Sequence, residues 1–182
     1  MTHAALTFFS ESEAATVDAM AARIIPTDTS GPGAREAGVI DYIDRALSGY
    51  YRDLQTFYRR GVRALDALCH ERFGVGFRAL GEDQQDAVLA SVERPADDET
   101  NAFLRMFFGV VRRHTIEGLF CDPAYGGNRD LIGWRLVGFP GAQWSYSAEQ
   151  MRPGFDSRQI PIKTLEDLRR EHGTEVSHGR AH

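Results

Sequence analysis

Apolar positions recur at helical spacing along most of this chain. Ser10-Glu11-Ser12-Glu13 is a capping-box pattern, in which the serine hydroxyl and the glutamate three residues on satisfy free amides reciprocally. Val17, Met20, Ala21 and Ile24 follow at steps of three and four. Pro26 then stops the helix at Ile25, because the residue before a proline is pushed out of the helical region. Thr27 to Gly33 has the composition of a loop. A second helical pattern runs from Ala34 to Leu47 through Val39, Ile40 and Ile43, and Ser48-Gly49 punctuates it. From Tyr50 to Phe73 one stripe of Tyr50, Leu54, Phe57, Tyr58, Gly61, Leu65, Leu68, Cys69 and Phe73 predicts an amphipathic helix of about six turns. A short helix with an acidic start, Glu82-Asp83, continues through Ala87, Val88 and Val92 and closes at Pro95.

The most apolar segment is Asp98 to Phe120. Phe103, Leu104, Met106, Phe107, Phe108, Val110 and Val111 cover nearly its whole circumference, which places such a helix either at the centre of a bundle or against a partner. Asp130 opens a further short helix through Leu131, Trp134 and Val137, stopped by Gly138 and Pro140. Beyond Gly141 the periodicity fades. Thr164 to Arg170 can form two helical turns, and Gly173 to His182 reads as frayed. No alternating pattern lasts long enough for a strand, so the expected architecture is all-α with roughly five or six helices. Residues 1–150 form one helical domain in this reading, and 151–182 an extension that either wraps a partner or is partly disordered.

Composition narrows the function classes. A chain of 182 residues suits a single domain. Its formal charge of −5 argues against nucleic-acid binding through a basic surface. No apolar run approaches the roughly 18 to 20 residues of a membrane span. The opening Met1-Thr2-His3-Ala4-Ala5-Leu6-Thr7-Phe8-Phe9 has no basic n-region, long apolar region or twin arginine, so a cytoplasmic location is expected. Cys69 and Cys121 fit no metal spacing, and they read as two buried thiols or a single bridge. Arginine outnumbers lysine 20 to one, Lys163 being the single lysine. A GC-rich genome accounts for this bias, and so does the advantage of arginine in desolvated contacts.

Candidate chemistry is sparse. Gly31-Pro32-Gly33 and Gly74-Val75-Gly76 each lack the third glycine and the strand of a dinucleotide-binding loop. His114 and Glu117 share a face at i, i+3, with Cys121 and Asp122 one turn on. A bridged di-metal site would need a second such pair, so a hydrogen-bonded His–Glu pair anchoring the helix end is the plainer expectation. His114 as a general base lacks an accompanying nucleophile motif. Tyr125-Gly126-Gly127-Asn128 permits left-handed backbone and close approach. Trp134, Phe139, Trp144 and Tyr146 downstream are either core or a partner-binding platform, since aromatics and arginine are favoured interface anchors.

The run from His114 to Asn128, HTIEGLFCDPAYGGN, followed by Gly133-Trp134 and Gly138-Phe139-Pro140-Gly141, resembles the gluconate 2-dehydrogenase subunit 3 family and its H-x-x-E-G-x-F-x-D-P-x-Y-G-G-N block. Phe8-Phe9 and Ile24-Ile25-Pro26-Thr27-Asp28 are similar to the opening of that family, and the resemblance covers roughly residues 6 to 145. It implies a small, non-catalytic subunit without a cofactor of its own. Its partner would be a large flavoprotein dehydrogenase of the glucose-methanol-choline type, holding FAD and in some cases an iron–sulfur cluster. That partner would oxidise a sugar or sugar acid and pass electrons to an acceptor such as a cytochrome c. The small subunit would assist the maturation, stability and export of the large one. His114, Glu117, Asp122, Tyr125, Gly126, Gly127, Asn128, Trp134, Phe139 and Trp144 are the expected partner-binding residues. Many family members carry a twin-arginine signal that this sequence lacks. Two other readings stay open from the residues themselves: an independent helical enzyme using His114 and Glu117, and a self-associating helical protein with no redox partner.

Overall fold

Seven α-helices account for most of the described residues, which in this computed structural model are 5–95 and 98–178. The first, α1 (Glu11–Ile24), starts with the anticipated capping box: the Glu13 amide donates to Ser10 Oγ at 3.3 Å and the Ser10 amide to Glu13 Oε2 at 3.0 Å. Its inner face of Ala14, Val17, Met20 and Ala21 is buried. The second helix, α2 (Val39–Ser48), begins later than its pattern of apolar residues suggests. Ala34 to Gly38 form turns, because Gly38 adopts a left-handed conformation (φ 68°) and the helix starts only after it.

The long third helix, α3 (Gln55–Phe73), likewise starts after a 3-10 turn, Arg52–Leu54, so Tyr50 and Tyr51 lie on a connector rather than on the helix. Gly74, left-handed at φ 77°, ends α3, its amide donating to the His70 carbonyl. The fourth helix, α4 (Glu82–Glu93), leads to α5 (Glu99–Phe120), which is capped by Asp98 accepting from the Asn101 amide at 2.8 Å. Of the two placements its near-continuous apolar surface allows, α5 takes the central one: α1, α2, α3, α4 and the short α6 (Ile132–Val137) all pack on it. Phe103, Leu104, Phe107, Phe108, Val111 and Leu119 of α5 are buried.

The segment after Gly141 is more structured than its composition suggests. Gly141 pairs with Lys163 in a short parallel bridge, Ile160 is buried, and α7 (Leu165–His178) extends past the two turns expected. The frayed end expected from Gly173 is therefore helical to His178, while 179–182 lie outside the described residues, as do 1–4 of the opening stretch. Among the described residues no helix is long and apolar enough to cross a membrane.

Candidate functional site

The C-terminal end of α5 leaves carbonyls without partners inside the helix, as every helix end does. Here the following segment returns to satisfy them. The Asn128 amide donates to the Gly118 carbonyl at 2.9 Å, Asn128 Nδ2 to the Cys121 carbonyl at 2.8 Å, and Trp134 Nε1 to the Phe120 carbonyl at 2.7 Å. Asn128 Oδ1 in turn accepts from the Gly133 amide at 2.8 Å, so one fully buried side chain joins the end of α5 to the start of α6. Glycine is required where this return crosses the helix end. A Cβ on Gly127 would stand 2.1 Å from the Gly118 carbonyl oxygen, and one on Gly133 2.0 Å from that of Leu119. Asn128, Asp130 and Leu131 all have positive φ, a costly conformation for side-chain-bearing residues that the lock holds in place. Outside the lock, buried Asp41 of α2 accepts from Arg129 at 2.7 Å.

Asp122 fastens the extension to this block. One of its carboxylate oxygens accepts from the Ala124 amide at 2.9 Å and the other from the Leu165 amide, at the first residue of α7, at 2.7 Å.

His114 and Glu117 do not bond to each other, contrary to the pair expected from their spacing. Each is taken up by tyrosines from other elements. Tyr58 of α3 shares a 2.8 Å hydrogen bond with His114 Nδ1, and the Tyr51 ring stacks on the imidazole with centroids 4.4 Å apart. Tyr42 of α2 donates to Glu117 Oε2 at 3.0 Å and Tyr51 at 3.2 Å. Burial pushes the imidazole down to about 4, against the smaller opposing pull of the Glu117 carboxylate, so His114 is neutral. Desolvation first, and then the Glu117 charge, raise the hydroxyls of Tyr42 and Tyr51, which keep their protons and act as donors. His114 is fully buried, leaving no room for a substrate at its ring. Among the described residues no group of three or more His, Cys, Asp or Glu side chains is arranged to hold a metal ion. Cys69 and Cys121 are free, and burial raises both thiols to about 11.

The surface outside this network is a groove of about 680 Å³ between α2 and the end of α5, lined by Tyr42, Arg45, Tyr50, Tyr51, Ile116 and Tyr125 among others. Tyr125 is 56% exposed and Tyr50 87%. The tight turn at Gly126 (φ 105°) sets Tyr125 beside Arg45, whose guanidinium donates to the Ala124 carbonyl at 3.1 Å.

The expected partner-binding residues thus divide. Tyr125 lies on the surface, and Glu117 and Gly126 are partly exposed at or beside the groove, whereas His114, Asp122, Gly127 and Asn128 are internal. Trp134 is corrected from a surface anchor to a core residue: it is 4% exposed, with its indole N–H committed to α5. Phe139 packs edge-on against it at 5.3 Å and is partly exposed, and Trp144 is exposed further along, near His172. Tyr42, Tyr51, Tyr58 and Arg45 were not singled out by the sequence. Tyr58 had appeared only as part of an apolar stripe, and the partners of a stripe are set by which helices cross it.

The family model described as Gluconate 2-dehydrogenase subunit 3 matches residues 11–141, from the first residue of α1 to the glycine that pairs with Lys163. No curated protein and no solved structure matches the chain.

Proposed function

Because this chain belongs to the gluconate 2-dehydrogenase subunit 3 family, we propose that it is the small, non-catalytic subunit of an FAD-dependent sugar or sugar-acid dehydrogenase, binding and stabilising the large flavoprotein subunit. FAD, and an iron–sulfur cluster where there is one, sit in that larger chain and not in this one. The glycine pairs here favour that division, since Gly31-Pro32-Gly33 lies in the connector between α1 and α2 and Gly74-Val75-Gly76 follows α3. Neither opens a helix after a strand, the setting a dinucleotide loop needs. A cytochrome c is the proposed electron acceptor of the complex. The location follows the complex: cytoplasmic, or periplasmic if the large subunit supplies the signal.

The observation that carries the reading is the tyrosine groove beside the Asn128 lock. Exposed aromatic side chains around a rigid concavity are the anchors protein interfaces favour, and here they rest on the family's own block. In this reading the internal residues of the block hold the groove in shape, and Tyr50, Tyr125 and Ile116 meet the partner.

Isolation of the tagged chain from its native cells tests this. The expected product is a yellow complex with flavin absorption bands and a second, larger chain that reduces an artificial electron acceptor on addition of a sugar or sugar acid. A colourless eluate containing this chain alone, as a monomer or as a self-associated oligomer, contradicts the subunit reading.

A further inference from the structure

Gly109 sits in the middle of α5, at an exposed position where a Cβ would meet nothing within 4 Å. Glycine in a helix interior is unfavourable relative to alanine by roughly 1 kcal/mol, and internal packing does not require it here. At Gly61 the reason is plain, because a Cβ there would run into the Phe107 ring at 2.2 Å, and at Gly118 it would meet Tyr42 at 2.9 Å.

The residues three and four positions either side of Gly109 are Arg105, Met106, Arg112 and Arg113, all exposed, and Ile116 continues the same face. Met106 is 58% exposed and Ile116 43%. Arg60 of α3 extends the basic border, its guanidinium lying 4.2 Å from the centroid of the Phe103 ring, one turn from Met106. Internal acids do little to offset this charge. Arg112 is 3.5 Å from Glu93 and Arg113 3.7 Å from Glu117, both solvent-screened, and Arg105 has no ion-pair partner among the described residues. A chain with net charge −5 has therefore gathered arginines around an apolar line whose centre is a bare backbone. This face runs without a break into the tyrosine groove, because the hollow lined by Gly109, Arg112 and Arg113 shares Ile116 and Glu117 with it.

We propose that an amphipathic helix of the large subunit, carrying Asp and Glu on its flanks, crosses α5 at Gly109, with its apolar edge on Met106 and Ile116 and its carboxylates on Arg105, Arg112 and Arg113. Distances between helix axes depend on the side chains at the contact, and a glycine there allows the closest approach. The surrounding arginines select an acidic partner and repel a basic one. This inference rests on the subunit reading and adds to it the contact point and the chemistry of the partner segment.

The test uses the full chain and the flavoprotein it captures. Gly109→Leu and Arg105→Glu are compared with the unaltered chain and with Arg78→Glu, which lies in the Phe77–Ala79 turn outside α5. The two α5 variants are expected to bind the flavoprotein at least tenfold more weakly and to melt no lower than the unaltered chain, with Arg105→Glu also losing part of the salt dependence of binding; Arg78→Glu should bind normally. A photo-crosslinking residue in place of Met106 should join to a flavoprotein segment with acidic residues at helical spacing. If the unaltered chain captures the flavoprotein but the α5 variants bind it equally well, or the crosslink falls on a segment without acidic residues, the inference is overturned and the subunit reading stands. Capture of no flavoprotein by the unaltered chain removes both.

Discussion

At the scale of single residues, His114 shows how an apparently catalytic side chain becomes a structural one. Its neutral ring is stacked on Tyr51 and hydrogen-bonded by Tyr58, and protonating it there would bury a charge. The pH consequence follows from where each state takes up the proton. Unfolded, the imidazole protonates near its ordinary value of 6.5; folded, it resists to about 4. As pH falls through that window the unfolded state gains a proton that the native state refuses, so stability declines by about 3 kcal/mol and the decline levels off below it. Chemical denaturation between pH 7 and pH 4 should show this slope, and His114→Gln should flatten it. A slope unchanged by the substitution would place the acid sensitivity elsewhere. The carboxylates with lowered values act further down. Burial pushes Asp44 up, but the amides of Phe9 and Thr7 and the Thr7 hydroxyl, with the Phe8 amide, outweigh that and bring it below its ordinary 3.8, so its contribution is lost only as pH falls below that point. The sequence suggested a special role for His114 and Glu117 but paired them with each other. Two side chains on one helix face each see the neighbouring helices first, and spacing along α5 carries no information about tyrosines arriving from α2, α3 and the connector.

At the scale of elements, the family block is a device for ending a helix and starting the next one in a fixed direction. Asn128→Ala would leave the Cys121 carbonyl and the Gly133 amide without their partners and put alanine in a left-handed conformation at φ 48°. The expected loss is about 3 to 4 kcal/mol in denaturant unfolding, with the near-ultraviolet signal of Trp134 altered because its support from α5 loosens. A loss under about 1 kcal/mol would mean the lock is not what orders this segment. Helix positions were readable from sequence where burial is periodic, as in α1, α3 and α5. Their starts were less so: α2 and α3 both begin after residues whose apolar character continues the pattern but whose backbone turns first, at Gly38 and in Arg52–Leu54. The extension was the least legible part. Much of what ties it down is hydrogen bonding by its backbone groups, Lys163 with Pro140 and Ala142 and the Leu165 amide with the Asp122 carboxylate, and such bonds leave no mark on hydrophobic periodicity.

At the scale of the whole molecule, a helical bundle built around α5 leaves one long strip of that helix uncovered, from Arg105 to Ile116, and continues it into a groove rich in tyrosine. A subunit that binds only the native form of its partner stabilises that form by mass action. In the proposed complex, exposed apolar surface on this chain and a folding dependence in the large one would be two sides of one interface. The all-α class and the family were legible because a buried central helix and a fifteen-residue block both survive in one dimension. The groove was not, because Tyr42, Tyr50, Tyr51 and Tyr125 meet only once α2 and the end of α5 are packed together. The most direct measurement is the yield of soluble, flavin-loaded large subunit when its gene is expressed with and without this chain. The account predicts that the flavoprotein accumulates in active form only with the unaltered chain, and that Tyr125→Ala lowers the yield severalfold while leaving sugar-dependent dye reduction per bound flavin unchanged. Equal yields of active flavoprotein in the presence and absence of this chain would contradict it.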